Sequence, residues 1–315
     1  MRSGRSIKRG AVPIRAVATH TCHHAVMSLL IPNRLAESAR RSPEGKAWLD
    51  RLPATLQAVR RRWSLTVKQP FDGNEVSAAW VAPVRLRDGS PAVLKLGLPH
   101  PEAEQEIDGL RFWNGDPTVQ LLDADEELNA MLLERCTPGT WLRLLPEKEQ
   151  DVIIGGLLRR LWRTPTRPHP FRPLSAMISL WIEQTMRNRD RWPDAGLVRE
   201  GIRLFEELGR SADGAHDVLL GTDVHAGNVL RAQRRPWLVI DPKPFVGDRA
   251  YDATQHLLNC ERRMRDDPIG TISRFADLLE LEGARVRLWV FARTAAEPGD
   301  YWEENRAALT RSLVP

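Results

Sequence analysis

A short group of polar residues in the second half of the chain has the types and the spacing that phosphoryl transfer requires. Asn228 follows Asp223 by five residues, and Asp241 stands directly after the apolar run of residues 237–240. Mg²⁺ prefers oxygen ligands and takes only one or two carboxylates besides substrate phosphates, so an Asn and an Asp suffice to hold it. The remaining carboxylate is free to accept the proton of an attacking hydroxyl. We therefore predict that Asp223 is a catalytic base and that Asn228 and Asp241 are Mg²⁺ ligands.

The surrounding residues predict the elements that would position this group. Residues 218–220 and 229–230 are short apolar runs on either side of a polar loop. Residues 231–236 are typical of a turn, and residues 237–240 would form the returning strand that ends at Asp241. An Asp and an Asn in a loop more often cap turns than bind metal. The second Asp, together with a suitably placed lysine upstream, favours the phosphoryl-transfer interpretation.

That lysine is Lys95, which lies in the apolar segment 92–96. A lone lysine in a strand is more often an edge residue whose stem reaches to water. Here a strand-like run at 76–84 and a turn signal at 87–90 precede it, which predicts an antiparallel hairpin like the one that carries the nucleotide-binding lysine of kinases. Lys95 would then contact the α and β phosphates of ATP.

A carboxylate from a neighbouring helix must fix such a lysine, and the predicted helix 101–113 supplies one. Glu106 precedes Leu110 by four residues and Trp113 by seven, so it shares their inward face. We predict an ion pair between Lys95 and Glu106. Glu102 and Glu104 fit a solvated first turn of the helix instead.

The nucleotide pocket is less clearly marked in the sequence. Residues 130–135 predict an apolar strand beside the adenine base, with backbone groups near Glu134 and Cys136 as its hydrogen-bonding partners. Such contacts do not distinguish ATP from GTP. The chain has neither a Gly-x-Gly-x-x-Gly loop nor a Gly-x-x-x-x-Gly-Lys-Ser/Thr motif. Gly73 and the amides near Ser77 are therefore the candidate phosphate contacts.

Three segments together resemble the aminoglycoside/hydroxyurea antibiotic resistance kinases. They are Asp-Val-His-Ala-Gly-Asn-Val-Leu at 223–230, Trp-Leu-Val-Ile-Asp-Pro-Lys-Pro at 237–244 and Val-Gly-Asp-Arg-Ala-Tyr-Asp at 246–252. The resemblance runs from about Pro32 to the C-terminus. It implies an α+β, two-lobed protein-kinase-like fold with a small antiparallel-sheet N-lobe and a mainly helical C-lobe. Many members carry His-Gly-Asp where this chain has Gly221-Thr222-Asp223, so the support of the loop is expected to differ.

The same resemblance implies a function. It points to ATP-dependent transfer of the γ-phosphoryl group to a hydroxyl of an aminoglycoside, with streptomycin the first choice of acceptor, and so to antibiotic resistance. Asp223 would be the base, Asn228 and Asp241 the metal ligands, and the acceptor would lie over the large lobe beside Asp223.

Four residues near the motifs invite supporting roles. We expect Asp248 to be the N-cap of a helix and Asp252 to bond amides of the catalytic loop. His225 either orients the loop or is a satisfied core imidazole, of which we favour the second. Lys243 could steady a phosphate, but we expect an exposed loop lysine.

Composition limits the alternatives. The 315 residues, 42% of them apolar, allow a two-lobed core, and the absence of an 18-residue apolar run argues against a membrane partner. The net charge of +5 comes from residues 1–26, which hold five basic and no acidic residues, so nucleic-acid binding is not predicted. The widely spaced Cys22, Cys136 and Cys260 favour a reducing cytoplasm over a disulfide framework.

We predict three parts of the chain. Residues 1–26 would be a disordered or misassigned leader, with Met27 as a plausible true start. Residues 27–135 would hold N-terminal helices and the nucleotide-binding small lobe, and residues 136–315 the helical lobe with the catalytic loop and acceptor site. Helical spacing of apolar residues predicts helices within 35–63, 152–162, 174–191 and 197–208.

Two alternatives stay open. A kinase of hydroxyurea or of another small hydroxylated metabolite would use the same residues, and many carboxylates around the acceptor would favour an aminoglycoside over it. A nucleotide-binding pseudokinase is the second alternative. The presence of Lys95, Asp223, Asn228 and Asp241 argues against it, because folding does not demand that polar set. We expect a monomer that binds a small-molecule acceptor.

Overall fold

In a computed structural model of the chain, the described residues are 29–73, 77–192, 194–210, 217–298 and 304–315, with side chains described from residue 306 onward in the last range. The predicted leader at 1–26, the alternative start at Met27 and residues 74–76 of the candidate phosphate loop lie outside these ranges. Residues 31–315 form one structural unit.

An antiparallel sheet preceded by two helices forms the N-terminal part. The helices are α1 (Asn33–Ala39) and α2 (Pro43–Arg62), and the strands are β1 (Thr66–Val67), β2 (Ala79–Arg85), β3 (Pro91–Gly97), β4 (Leu121–Asp125) and β5 (Ala130–Glu134). The five strands lie in the order β1-β2-β3-β5-β4, and every neighbouring pair is antiparallel. The predicted hairpin is β2–β3, whose turn places Gly89 at a φ of 85°, a conformation that glycine adopts without strain. Lys95 lies opposite Val81 in the middle of this sheet.

Helix α3 (Glu106–Trp113) connects β3 to β4 in the chain. Leu110 and Trp113 are fully buried, and Glu106 lies on the same face with only 2% of its surface exposed. The helix begins later than predicted, because Pro101–Ala103 forms a separate 3₁₀ turn that contains Glu102. It ends at Asn114, whose left-handed φ of 48° stops the helix.

The rest of the described chain is mainly helical. Its helices are α4 (Glu147–Leu161), α5 (Leu174–Arg187), α6 (Ala195–Arg210), α7 (Arg249–Leu258), α8 (Glu261–Asp266), α9 (Pro268–Leu279), α10 (Gly283–Ala296) and α11 (Glu304–Ser312). Helix α10 lies at the centre of this lobe, and its Val286, Trp289, Val290 and Phe291 are completely buried. Within the described ranges, none of the helices combines the length and the apolar character that crossing a bilayer needs.

Two short strand pairs carry the catalytic segment. Strand β7 (Val229–Arg231) pairs with β8 (Trp237–Val239), which is the predicted hairpin. Strand β6 (Val218–Leu220) pairs with β9 (Phe245–Gly247), a pairing that the sequence did not predict. The loop from β6 to β7 and the loop from β8 to β9 therefore lie side by side.

The start of α3 is attached to the helical part by side-chain hydrogen bonds. The indole Nε1 of Trp181 on α5 donates to Glu102 Oε1 at 2.9 Å, and the backbone N–H of Arg172 donates to Gln105 Oε1 at 2.8 Å. Glu102 is therefore engaged with the helical lobe and not solvated as expected. These contacts fix where α3 presents Glu106.

Candidate active site

The catalytic loop begins directly after β6 and is held by a buried carboxylate. Gly221 N–H and Thr222 N–H donate to the two oxygens of Asp252 at 3.0 and 2.8 Å, and Trp162 Nε1 donates to the same carboxylate at 2.9 Å. The predicted role of Asp252 in bonding loop amides is thus confirmed. Burial raises the pKa of Asp252 to about 6, although these three hydrogen bonds oppose the shift.

Thr222 turns the loop through an uncommon backbone conformation. Its φ of 43° is left-handed, which costs a β-branched residue free energy and therefore requires support from the surroundings. The support comes from Asp252 and from a hydrogen bond that Thr222 Oγ1 donates to the carbonyl of Lys243 at 2.7 Å. These two contacts hold the loop of Gly221, Thr222 and Asp223 in this conformation.

Asp223, the predicted base, is held by two side-chain amides. Asn228 Nδ2 donates to Asp223 Oδ2 at 3.0 Å and to its carbonyl at 3.0 Å, and Gln255 Nε2 donates to Oδ1 at 2.7 Å. Burial and the nearby charge of Asp241 raise the pKa of Asp223 to about 7, against the effect of Lys243 and Arg293. About 32% of the side chain is exposed, so an acceptor hydroxyl can reach it.

His225 supports this loop from within. Its Nδ1 accepts a hydrogen bond from Gly227 N–H at 3.2 Å at the start of the 3₁₀ turn Ala226–Asn228. Its Nε2 lies 3.7 Å from Asp223 Oδ1. His225 therefore bonds the catalytic loop itself, and our preference for a core imidazole was wrong because 20% of its side chain is exposed.

Behind Asp223 lies a polar group that the sequence did not reveal. Arg293 on α10 donates through Nη2 to Gln255 Oε1 at 2.8 Å and through Nη1 to Thr254 Oγ1 at 2.8 Å. Glu297 accepts from the same guanidinium and holds the pKa of Arg293 above its ordinary value although burial acts to lower it. The side-chain amide of Gln255 is thereby fixed with its N–H towards Asp223. No local motif marks these residues, since they come from two separate helices.

Four charged side chains near Asp223 form a closed ring. Lys95 Nζ lies 2.5 Å from Glu106 Oε1 and 2.6 Å from Asp241 Oδ1. Lys243 Nζ bonds the same oxygen of Asp241 and lies 3.6 Å from Glu106 Oε2. The predicted contact between Lys95 and Glu106 is present, and the two lysines and two carboxylates balance in charge.

The position of Lys243 contradicts the expectation of an exposed loop residue. Only 8% of Lys243 is exposed, because the segment after Asp241 turns inward against the catalytic loop. Burial acts to lower the pKa of Lys243, but the charges of Asp241 and Glu106 hold it well above the ordinary value. The two lysines in turn hold the pKa of Asp241 below its usual range despite burial. Asp241 and Lys243 are therefore both ionised at neutral pH.

The donor set suits a magnesium ion bound with a nucleotide. Asn228 turns its amide nitrogen towards Asp223, which directs its carbonyl oxygen the other way, and Asp241 supplies a carboxylate. One amide oxygen and one carboxylate match the sparse protein coordination of Mg²⁺ at phosphate sites. The two lysines carry positive charge of the kind that would bind a triphosphate.

Of the residues predicted for the nucleotide pocket, Cys136 and Glu134 have defined contacts in the structure. Cys136 is buried in a cluster with Met131 and Leu133 of β5, and burial raises the pKa of its thiol to about 11. Glu134 ends β5, and its carboxylate accepts hydrogen bonds from Arg234 at 2.8 to 3.1 Å. Gly73 and Ser77 flank residues outside the described ranges, so their phosphate contacts stay a prediction.

Asp248 anchors the helix that carries Gln255. Its Oδ1 accepts from Ala250 N–H at 2.9 Å at the N-terminus of α7, which confirms the predicted N-cap. Its Oδ2 accepts from Arg285 Nε and Trp289 Nε1, both at 2.6 Å. Helices α7 and α10 are thus tied together beneath the site.

Replacement of Asp252 by alanine is expected to lower both stability and turnover. It would leave two loop amides and the Trp162 indole without their buried acceptor, which costs about 2–4 kcal/mol of unfolding free energy. Denaturant unfolding and kcat would be measured beside Asp266→Ala, which removes an exposed carboxylate and should change stability by less than about 0.5 kcal/mol. Equal effects of the two substitutions would contradict the anchoring role.

A separate polar cluster lies in the helical lobe away from Asp223. Within the described part of the chain, Asp151, His256 and Cys260 form a group with metal-ligand chemistry. However, Arg263 donates to both oxygens of Asp151 at 3.1 and 2.8 Å, and His256 Nε2 lies 2.8 Å from Oδ1. A cation would have to displace a guanidinium, so this cluster is an ion-pair network between helices.

One lobe is an antiparallel sheet with a buried Lys–Glu pair. The lobe joined to it is helical and has a loop Asp, an Asn and a second Asp after a hairpin. Together these features define a protein-kinase-like phosphotransferase. Residues 62–305 match the family described as aminoglycoside/hydroxyurea antibiotic resistance kinase. The chain therefore belongs to this family, as its motifs predicted.

Individual relatives extend over almost the whole chain. The chain is 35% identical over 301 residues to a streptomycin 6-kinase of Streptomyces glaucescens, an alignment that covers 90% of this chain and 94% of the relative. It is 33% identical over 297 residues to a hydroxyurea phosphotransferase of Kitasatospora aureofaciens, covering 90% and 84%. The structure of aminoglycoside phosphotransferase APH(3'')-Id from Streptomyces rimosus in complex with ADP and streptomycin matches with a TM-score of 0.53 at 17% identity, covering 82% and 98%. This last likeness confirms the predicted fold.

Proposed function

We propose that this protein transfers the γ-phosphoryl group of ATP to a hydroxyl of streptomycin and thereby inactivates the antibiotic. The observation that carries the proposal is an accessible carboxylate, Asp223, with the ring of Lys95, Glu106, Lys243 and Asp241 near it. Similarity to a streptomycin 6-kinase over 90% of the chain supports the choice of acceptor.

Each residue has a task in this reaction. Asp223 orients the acceptor hydroxyl and accepts its proton as the oxygen forms a bond to the γ-phosphorus and the bond to the β-phosphate oxygen breaks, leaving ADP. Lys95, fixed by Glu106, binds the α and β phosphates. Asn228 and Asp241 would hold Mg²⁺, which neutralises phosphate charge when it is bound. Catalysis is then mainly positioning and electrostatic stabilisation.

The nucleotide contacts follow the same proposal. We assign the backbone groups of Glu134 and Cys136 to the adenine base, and Gly73 and the amide of Ser77 to the phosphates. The lobes would meet after residue 135, so that the nucleotide lies between the sheet and the catalytic loop. We place the monomeric enzyme in the cytoplasm, where ATP is present and where the buried thiols of Cys136 and Cys260 stay reduced.

The relatives, and not the charges around Asp223, carry the choice of a polycationic acceptor, because the carboxylates of Asp241 and Glu102 are opposed there by the cations of Lys243 and Arg293. Hydroxyurea remains the second candidate, because a hydroxyurea phosphotransferase is 33% identical over 90% of the chain.

The proposal is tested by acceptor-dependent ADP release with Mg·ATP. Streptomycin, a second aminoglycoside and hydroxyurea would be compared, and the product would be identified by mass spectrometry as the acceptor plus one phosphoryl group. Streptomycin-dependent release that is lost in Asp223→Asn is the expected result. Release with hydroxyurea alone would transfer the assignment to the second candidate, and release with neither would reject both.

The pH dependence gives an independent prediction. An Asp acts as a base only when it is ionised, and burial raises the pKa of Asp223 to about 7. We therefore expect kcat/KM for the acceptor to rise about tenfold per pH unit below pH 7 and to level off above it. Initial rates from pH 5 to 9 at constant Mg·ATP would measure this rise of kcat/KM. A rise that levels off near pH 4 would mean that Asp223 titrates as an ordinary carboxyl group.

A further inference from the structure

Lys243 is built into the catalytic loop by its backbone. Its N–H donates to the carbonyl of Gly221 at 2.7 Å, and its own carbonyl accepts from Thr222 Oγ1 at 2.7 Å. Pro242 and Pro244 on either side restrict the chain further. The residue that carries this ammonium group is therefore locked to the two residues that precede Asp223.

The charge of Lys243 is not needed to position its neighbours. Lys95 already bonds both Glu106 and Asp241, and Lys243 adds a second ammonium to the same oxygen, Asp241 Oδ1. Lys243 balances the second carboxylate of the ring, but burying this additional ion pair costs desolvation free energy that apolar side chains of similar volume avoid. A buried, charged lysine at this point is therefore better explained by a negative ligand than by folding.

The position of Lys243 indicates which part of a nucleotide this negative ligand would be. During transfer, charge spreads over the three outer oxygens of the γ-phosphoryl group, which must lie between the base Asp223 and the Mg²⁺ ligand Asp241. The loop residues 224–228 contain no lysine or arginine. Lys243 contacts Asp241, and its backbone bonds Gly221 and Thr222 directly before Asp223. It therefore places a positive charge beside a loop that has no lysine or arginine of its own.

We propose that Lys243 is a further catalytic residue, whose ammonium group leaves Asp241 to bind the γ-phosphoryl group of ATP and stabilises it during transfer. This rests on the proposed kinase function and divides the phosphates between two lysines. Lys95 serves the α and β phosphates from the sheet, and Lys243 serves the γ-phosphoryl group from the helical lobe.

Nucleotide binding without any acceptor tests the division. Mg·ADP and the non-hydrolysable Mg·β,γ-imido-ATP would be titrated calorimetrically into wild type, Lys243→Met and Lys95→Met. We expect Lys243→Met to bind ADP within about threefold of wild type and the ATP analogue about tenfold to hundredfold more weakly, since one charge-assisted hydrogen bond to the γ-phosphoryl group is lost. Lys95→Met, which removes a buried lysine from the same oxygen of Asp241, should weaken both nucleotides alike.

Turnover should fall with the γ-phosphoryl contact. We expect kcat of Lys243→Met to drop about 10²–10³-fold, and Lys243→Arg to recover part of both the analogue affinity and kcat because it keeps the charge. If Lys243→Met does not fold, Lys243→Gln and Lys243→Arg decide, with loss of the analogue preference expected only for Gln. Equal weakening of ADP and the analogue, or unchanged affinity for both, overturns the proposal. These titrations contain no acceptor, so a wrong acceptor assignment leaves their result unaffected.

Discussion

Asp223→Asn is expected to lower kcat by about 10²–10⁴-fold and to leave the affinity for Mg·ATP within about threefold of wild type. The substitution keeps the shape of the side chain and one oxygen, but it removes the carboxylate that accepts the proton of the attacking hydroxyl. Asp223 bonds Asn228 and Gln255 and has no ion pair with either lysine of the ring. The groups assigned to the triphosphate therefore keep their contacts with one another.

The same variant should change stability little at neutral pH. Burial raises the pKa of Asp223 from 3.8 to about 7 in the folded chain. Between these values the folded state binds more protons than the unfolded state, so the contribution of Asp223 to stability is present at low pH and is lost as the pH rises through 7. A neutral Asn avoids this loss, but its amide nitrogen meets the donor of Asn228 or of Gln255, so one of these two donors loses its acceptor. The two effects oppose each other, and the melting temperature of Asp223→Asn at pH 7.5 should therefore stay close to that of wild type.

Three measurements on the purified variant check this prediction. ADP release gives kcat, calorimetric titration gives the Kd of Mg·ATP, and thermal unfolding gives Tm. Full turnover in Asp223→Asn would remove Asp223 from the role of base. Loss of nucleotide affinity together with a lower Tm would instead assign it a structural role.

The parts of the site that lie within one local pattern could be predicted from the sequence. The β2–β3 hairpin placed Lys95, the helical spacing of Glu106, Leu110 and Trp113 identified its partner, and the β7–β8 hairpin delivered Asp241. Each of these patterns spans fewer than 20 residues and depends on the alternation of apolar and polar side chains. Such signals determine which face a side chain occupies.

Contacts between distant segments left no such signal. Gln255 on α7 bonds Asp223, and Arg293 on α10 holds Gln255, but in the sequence both look like ordinary polar positions on helices. Lys243 follows a strand end, where an exposed lysine is the common outcome. Its burial depends on the β6–β9 pairing and on the left-handed Thr222, and both arise only when residues about 20 to 30 positions apart come together.

Asp241→Ala should lose both Mg·ATP binding and turnover, in contrast to Asp223→Asn. The substitution removes a proposed metal ligand and leaves the ammonium groups of Lys95 and Lys243 with only Glu106 between them. We expect Mg·ATP to bind at least about 100-fold more weakly, since a charged hydrogen-bonded ligand is lost. We also expect kcat to fall at least about 10³-fold.

The stability of this variant tests the charge balance of the ring directly. An uncompensated buried cation should lower the unfolding free energy by roughly 1–3 kcal/mol. This is less than the cost of breaking a fully buried ion pair, because 28% of the Asp241 side chain is exposed. The double variant Asp241→Ala/Lys243→Met removes the second ammonium and restores a balanced Lys95–Glu106 pair. It should therefore regain most of the lost stability while turnover stays absent. Denaturant unfolding of wild type, both single variants and the double variant completes a thermodynamic cycle. A coupling free energy below about 0.5 kcal/mol would show that the charges of Asp241 and Lys243 do not stabilise each other in the folded chain.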